Sequence, residues 1–168
     1  ACGLEAPEAD PDLRAQLDSM DRPLALLHPG SHGSAGNWPP AQFAELSARL
    51  ADAGCIVGLT GTAMEQEAFS RFRPVREDVI DFGGHFDLTQ LMAIQASAAL
   101  VVASSTGPLH TAAALGTPCV GLYGPAAPEW AERWAPLGPS VRVCTAETQT
   151  PDGALDLSVE DVLEACLS

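Results

Sequence analysis

Short, continuously apolar runs alternate with longer amphipathic stretches along the chain. The runs are Leu24 to His28, Cys55 to Leu59, Val79 to Phe82, Ala98 to Ala103, the segment after Pro118 that ends in Tyr123, and Val141 to Cys144. Unbroken apolar runs of this length predict strands of a parallel sheet covered on both faces. Between them, apolar residues recur at helical spacing. Phe43, Leu46 and Leu50 follow Pro39-Pro40 and stop at Gly54. Met64, Ala68 and Phe72 follow Thr60-Gly61-Thr62, and Leu88, Leu91 and Ile94 follow Asp87 as a cap. Glu129 to Trp134 reads as a short helix. Ser158-Val159-Glu160-Asp161 resembles a capping box at the start of a final helix. Strand and helix alternate five or six times, which predicts an α/β fold: a Rossmann-like, doubly wound parallel sheet. Residues 1–22, rich in Pro, Asp and Ala, read as a linker or docking segment. Residues 23–168 read as the folded domain.

The stretch from Ala103 to Pro125 carries the most chemistry. Apolar residues lead into Ser104, Ser105 and Thr106, then Gly107 and Pro108, an alanine-rich segment, Gly116-Thr117-Pro118 and a second apolar run. This is strand, tight turn, helix, turn, strand. Pro108 suits the first turn of a helix, where a missing N–H costs nothing. Gly107 permits close approach of a ligand to the backbone. The N–H groups of such a turn form a seat for an anion such as phosphate. Neither the dinucleotide fingerprint GxGxxG nor a Walker A lysine loop occurs in the chain.

Charge sharpens the choice of ligand. The 8 basic residues are all Arg, against 22 acidic ones, for a net charge of −14. A chain without a basic footprint is not a nucleic-acid binder. An acidic domain still accepts a phosphorylated ligand, because helix termini act locally and distant charge is screened beyond about 8–10 Å. Of the 5 cysteines none forms a CxxC pair, so neither a zinc site nor a disulfide framework is expected. No apolar stretch approaches the roughly 20 residues that span a bilayer, and the acidic N-terminus has no signal-peptide core; a cytosolic domain is expected.

Several local motifs accumulate in order: His28-Pro29-Gly30-Ser31; Trp38-Pro39 leading into Phe43-Ala44-Glu45-Leu46; Gly61 with Glu65; Asp87-Leu88 through Leu91; and Ser105-Thr106-Gly107-Pro108-Leu109-His110 with Ala112 to Pro118 and Leu122 to Pro125. Over residues 24–167 the chain resembles the C-terminal, donor-binding domain of the heptosyltransferase-like glycosyltransferases, family 9. The resemblance implies half of a two-domain GT-B enzyme that inverts the anomeric centre without an obligatory metal or other cofactor. This half would bind a nucleotide sugar, ADP-heptose or another. The N-terminal half, absent from this sequence, would bind a lipopolysaccharide-type acceptor and supply the general base. No catalytic residue is therefore expected in this chain, and the whole protein would work in the cytoplasm or at the inner face of the inner membrane.

The donor-site candidates are Ser31, Thr60, Gly61, Glu65, Ser105, Thr106, Gly107, Pro108 and His110. Each has a plainer reading beside it. Ser105 and Thr106 either seat a phosphate or cap a helix. His110 either donates to the departing diphosphate or bonds a nearby carbonyl. Ser31 reaches the diphosphate or is an ordinary turn residue. Glu65 contacts a ribose or complements its helix dipole. Thr60 and Gly61 shape a base-binding wall or form a plain turn. Trp38 and His28 are expected to pack. Two positions depart from the family pattern: Ser105 stands where heptosyltransferases usually carry an Asp, and Gly36 where they carry a Lys. These departures leave other nucleotide sugars open. They also motivate two alternatives, a non-catalytic nucleotide-binding module and another GT-B relative such as a sugar epimerase.

Overall fold

A computed structural model describes residues 4–31, 36–125 and 130–168. Among them run β1 (Leu24–His28), β2 (Ile56–Leu59), β3 (Val79–Asp81), β4 (Leu100–Ser104), β5 (Cys119–Tyr123) and β6 (Val141–Thr145). They form one sheet in the order β3-β2-β1-β4-β5-β6, every pairing parallel. The chain order reverses between β1 and β4, where Leu26 pairs with Val101 and His28 with Ala103.

The unbroken apolar runs follow from this placement. Alternate residues of each strand face opposite layers, and both layers are covered. Ala25 and Leu27 of β1 join a core with α2 (Pro40–Asp52) and α7 (Val159–Leu167), through Phe43, Leu46, Leu50 and Val162. Leu24 and Leu26 join the opposite core with α4 (Leu88–Ser97) and α5 (Gly107–Leu115), through Ile94, Leu109 and Ala112. Fully burying side chains of this size contributes about 1.5–3 kcal/mol each. Helix α1 (Pro11–Asp18) inserts Leu13 into that second core, and the Asp10 N–H donates to Gln90 Oε1 at 3.0 Å, so the amino-terminal segment is docked on α4.

Local signals set the helix ends. Asp10, Asp87 and Ser158 each accept a hydrogen bond from a backbone N–H three residues on. Thr62 and Glu65 form a reciprocal capping box that opens α3 (Ala63–Ser70). Gly116 closes α5 in the left-handed conformation, at φ 81°. Trp38 is fully buried; its Nε1–H donates to the Leu157 carbonyl at 2.9 Å and its ring meets Phe43 edge-on at 4.9 Å.

Two helical faces differ from expectation. Helix α3 ends at Ser70, so Phe72 lies outside it and is exposed, as is Met64, while Phe69 is the residue that enters the core. A helix of 8 residues resting on a sheet edge buries one anchor, not a full stripe. On α4, Ile94 is buried but Leu88 is exposed at the first turn, beyond the sheet edge. Helix α6 spans Ala131–Trp134; Glu129, expected at its start, lies outside the described residues. No helix among the described residues is long and apolar enough to cross a membrane.

Candidate functional site

Residues expected to bind the ligand converge on the carboxyl ends of β2, β1 and β4. The turn after β1 is Pro29-Gly30-Ser31, that after β2 is Thr60-Gly61-Thr62, and that after β4 is Ser105-Thr106 leading into α5. In an open parallel sheet this crevice, at the reversal of strand order, is where ligands bind.

Two cavities open here and share Thr60, Gly61 and Glu65 as a wall. The larger, about 350 Å³, reaches away from α5 toward α3, beneath Ser31, Asn37 and Trp38. The smaller, about 280 Å³, spans the strand reversal from His28 to Pro108. One wall is an apolar slot of Phe82, Phe86, Leu88 and Leu91, with the two phenylalanine rings stacked at 5.2 Å, and the other carries His28, Thr62, Glu65 and Asp87. A slot of that character, beside an anion seat, fits a flat heteroaromatic group attached to a phosphate.

The anion seat is the amino end of α5. Thr106 occupies the cap position, but its hydroxyl donates to the Ser104 carbonyl at 3.2 Å and no side chain caps the helix. The expectation that Thr106 presents a hydroxyl proton to a phosphate meets this bond; its backbone and the helix end are what it offers. Glycine at position 107 is not demanded by packing, since a Cβ there would meet no protein atom within 4 Å. The first turn is clamped from behind: Gln95 Nε2 donates to the Pro108 carbonyl at 2.8 Å. His110 is exposed one turn further and lines neither cavity.

The remaining candidates are held by specific partners. Thr60 Oγ1 hydrogen-bonds His28 Nδ1 at 3.0 Å and lies 3.4 Å from the Leu27 carbonyl, so its hydroxyl is held by β1. Thr60 is thus buried wall. Glu65 Oε2 accepts from the Thr62 N–H at 2.8 Å and from the Thr62 hydroxyl at 2.9 Å. Its carboxylate lies over Gly30, where a Cβ would come within 1.8 Å of Oε1. Ser31 is buried and lines the larger cavity only.

Electrostatics is unusual for a phosphate site. None of the eight arginines lines either cavity. Arg14, Arg22, Arg49 and Arg76 are paired with acidic residues outside both cavities, and Arg73 pairs with Asp81 at the wall of the larger one. A bound diphosphate would therefore meet the helix end and neutral donors, with no guanidinium from this chain. Nucleophilic thiol chemistry is also disfavoured. Cys55, Cys119, Cys144 and Cys166 are free, and burial raises all four, Cys119 to about 11 and Cys166 to about 12. Among the described residues no cluster of His, Cys, Asp or Glu could hold a metal ion.

Sequence reasoning missed the aromatic slot and Gln95. Phe82-Gly83-Gly84 followed by an apolar residue at a helix start was the available signal for the slot. Gln95 carried none, because its role depends on partners from another element.

A six-stranded, all-parallel α/β sheet with a crevice at its strand reversal is a Rossmann-like, ligand-binding architecture. The model of glycosyltransferase family 9 (heptosyltransferase) matches residues 3–158, and the chain belongs to that family. It is 33% identical over 131 residues to lipopolysaccharide heptosyltransferase 2 of Escherichia coli K12, which is 74% of this chain and 37% of that protein. It is 30% identical over 116 residues to lipooligosaccharide heptosyltransferase 2 of Haemophilus influenzae, 66% of this chain and 34% of that protein. The solved structure of E. coli ADP-heptose lps heptosyltransferase II superimposes with a TM-score of 0.76 at 29% identity, covering 97% of this chain and 51% of that one. That of E. coli heptosyltransferase WaaC with ADP gives 0.73 at 26%, covering 87% and 44%. The chain thus spans about a third of the curated relatives and about half of the solved structure of heptosyltransferase II.

Proposed function

We propose that this chain is the donor-binding half of an inverting glycosyltransferase that adds a sugar, heptose in the first instance, to a lipopolysaccharide-type acceptor at the cytoplasmic face of the membrane. The observation that carries the reading is the juxtaposition of an apolar aromatic slot with the uncapped amino end of α5 across the β1/β4 reversal. Family membership and the similarity to lipopolysaccharide and lipooligosaccharide heptosyltransferases support the same reading.

In this reading the nucleobase enters the slot of Phe82, Phe86, Leu88 and Leu91. The diphosphate rests on the turn Ser105-Thr106-Gly107. An acceptor hydroxyl, deprotonated by a base on the other half of the enzyme, attacks the anomeric carbon and the nucleoside diphosphate departs. The charge that develops on the leaving group is met by the positive end of the α5 dipole and by fixed neutral donors. Closure of the two halves excludes water. No metal enters the proposed reaction, so a chelator leaves turnover of the whole enzyme unchanged.

Calorimetric titration of the chain with ADP, UDP and GDP tests the donor site. Binding of one nucleotide at millimolar concentration or tighter, weakened by Gly107→Val, is the expected result. Absence of binding by all three overturns the reading.

A further inference from the structure

The two edges of the sheet are built differently. At one edge β3 has only 3 residues and is guarded by charge. Asp81 accepts from Gln66 at 3.1 Å and from Arg73 at 3.3 Å, and Arg76 donates to Asp78, just before the strand, at 2.8 Å. A short, charged edge does not invite a further strand. At the other edge β6 has 5 residues, Val141-Arg142-Val143-Cys144-Thr145, with no acidic residue, proline or glycine among them. Among the described residues β6 pairs with β5 alone. Val143, at its centre, is 41% exposed, and Leu137, shortly before the strand, is 96% exposed.

The register decides which backbone groups face outward. The Cys119 N–H donates to the Ser140 carbonyl at 3.0 Å, and the Ala146 N–H donates to the Tyr123 carbonyl at 2.9 Å. Parallel pairing alternates by two residues, so Ser140, Arg142, Cys144 and Ala146 face β5. The N–H and C=O groups of Val141, Val143 and Thr145 therefore point away from the sheet. Val143 is the midpoint of this row, which makes the row complementary to itself. Turned about a two-fold axis, Val143 meets Val143 and Val141 meets Thr145, with about six hydrogen bonds exchanged in all.

The side chains suit the same arrangement. Arg142 and Cys144 lie on the α7 side, where a groove of about 480 Å³ between β6 and α7 also carries Asp161 and Glu164. In the two-fold register Arg142 of one copy stands opposite Cys144 of the other, at the mouth of that groove. A guanidinium is thus offered to two carboxylates at the place where chains of net charge −14 would come together. On the other side, Gly138 packs on Val141 and sets Leu137 beside the strand, so apolar side chains flank the Val143 pair.

We propose that the outer edge of β6 is an interface for a second copy of this chain, formed by antiparallel pairing centred on Val143 that continues the sheet across a two-fold axis. The pairing uses neither cavity, so it holds or fails apart from the donor-site reading.

Sedimentation of the chain over about 5–500 µM tests the proposal, since an interface of one strand edge is at the small, weak end of the usual range. The native chain passes from one copy to two across that span. Val143→Lys and Val143→Glu each stay single, because the two-fold axis sets like charges opposite one another, and an equimolar mixture of the two regains the paired form. A native chain that stays single throughout overturns the proposal. Variants that pair as well as the native chain overturn it in favour of another surface. A mixture of folded variants that stays single overturns the register. Amide exchange on the native chain gives a second readout that needs no variant. Exchange slows with rising concentration at Val141, Val143 and Thr145, and is unchanged at Arg142 and Cys144. Exchange at Val143 that does not depend on concentration overturns the proposal, whatever the variants do.

Discussion

Gln95 on α4 holds the first turn of α5 in place by donating from Nε2 to the Pro108 carbonyl at 2.8 Å. The same side chain accepts from the Thr111 hydroxyl at 2.7 Å, and the Gln95 carbonyl accepts from Thr117 Oγ1 at 2.9 Å. A side chain only 1% exposed is thus fully engaged between the two helices that carry one wall of the site. Gln95→Ala removes two buried hydrogen bonds and leaves a void. The expected loss is about 2–4 kcal/mol of stability, read from urea denaturation. ADP binding weakens as well, because the turn that bears Gly107 loses its support. A loss below about 0.5 kcal/mol shows that the pair does not hold the turn.

Gly30 and Glu65 form a second fixed contact. A methyl group at position 30 would lie 1.8 Å from Glu65 Oε1 and 2.1 Å from its Cδ. Gly30→Ala therefore drives the carboxylate off the turn after β1 and opens the capping box with Thr62. Loss of such a cap costs about 0.5–2 kcal/mol. Thermal unfolding should show that loss together with weaker ADP binding, since Glu65 is part of the wall shared by both cavities. An unaltered melting curve shows that Glu65 can move aside freely.

The fold was legible because its strands are covered on both faces. Leu24 to His28 and Ala98 to Ala103 contain no polar interruption that an exposed sheet face would leave. Pro39-Pro40, Asp87 and Ser158 marked helix starts by chemistry that acts within four residues. The site was legible only to its backbone. Ser105, Thr106 and Gly107 were placed correctly on a turn by local signals. The partner that decides what the Thr60 hydroxyl can do comes from elsewhere, from His28 of β1. The helical period points to Phe72 where the core takes Phe69, because a period is visible in sequence and the stopping point at Ser70 is not.

Acid stability depends on a cluster at the far sheet edge. Arg76 hydrogen-bonds Asp78 at 2.8 Å and Asp52 at 2.7 Å. The guanidinium of Arg76 holds the Asp78 carboxyl down to about 2, from an ordinary value of 3.8. A carboxyl lowered in the folded state contributes stability that is present above its unfolded value and is lost as pH falls through the folded one. The contribution of this pair is therefore complete above about pH 4 and disappears toward pH 2. Asp78→Asn removes that part of the acid limb, so the native and variant stability curves converge below about pH 2 and separate above pH 4. Curves that stay parallel across the window assign the acid sensitivity to other groups.

Gly107 separates the demands of the fold from those of the ligand. It is the first residue of α5, its backbone lies outside the left-handed region, and a Cβ there would meet no protein atom within 4 Å. By the rules of helix stability, alanine is the better residue, since glycine in a helix costs roughly 0.5–1 kcal/mol relative to it. The gain is smaller in a first turn. Gly107→Ala is thus expected to leave stability unchanged or raise it by up to about 0.5 kcal/mol. The added methyl projects into the space that a diphosphate would occupy at the helix end. The same substitution should weaken ADP about tenfold or more, on the order of 1.4 kcal/mol. Opposite signs in a thermal melt and a nucleotide titration identify a glycine kept for its ligand. If ADP affinity is unchanged while stability rises, the diphosphate does not approach the α5 turn, and the anion seat at this helix end is the part of the site that has to be given up.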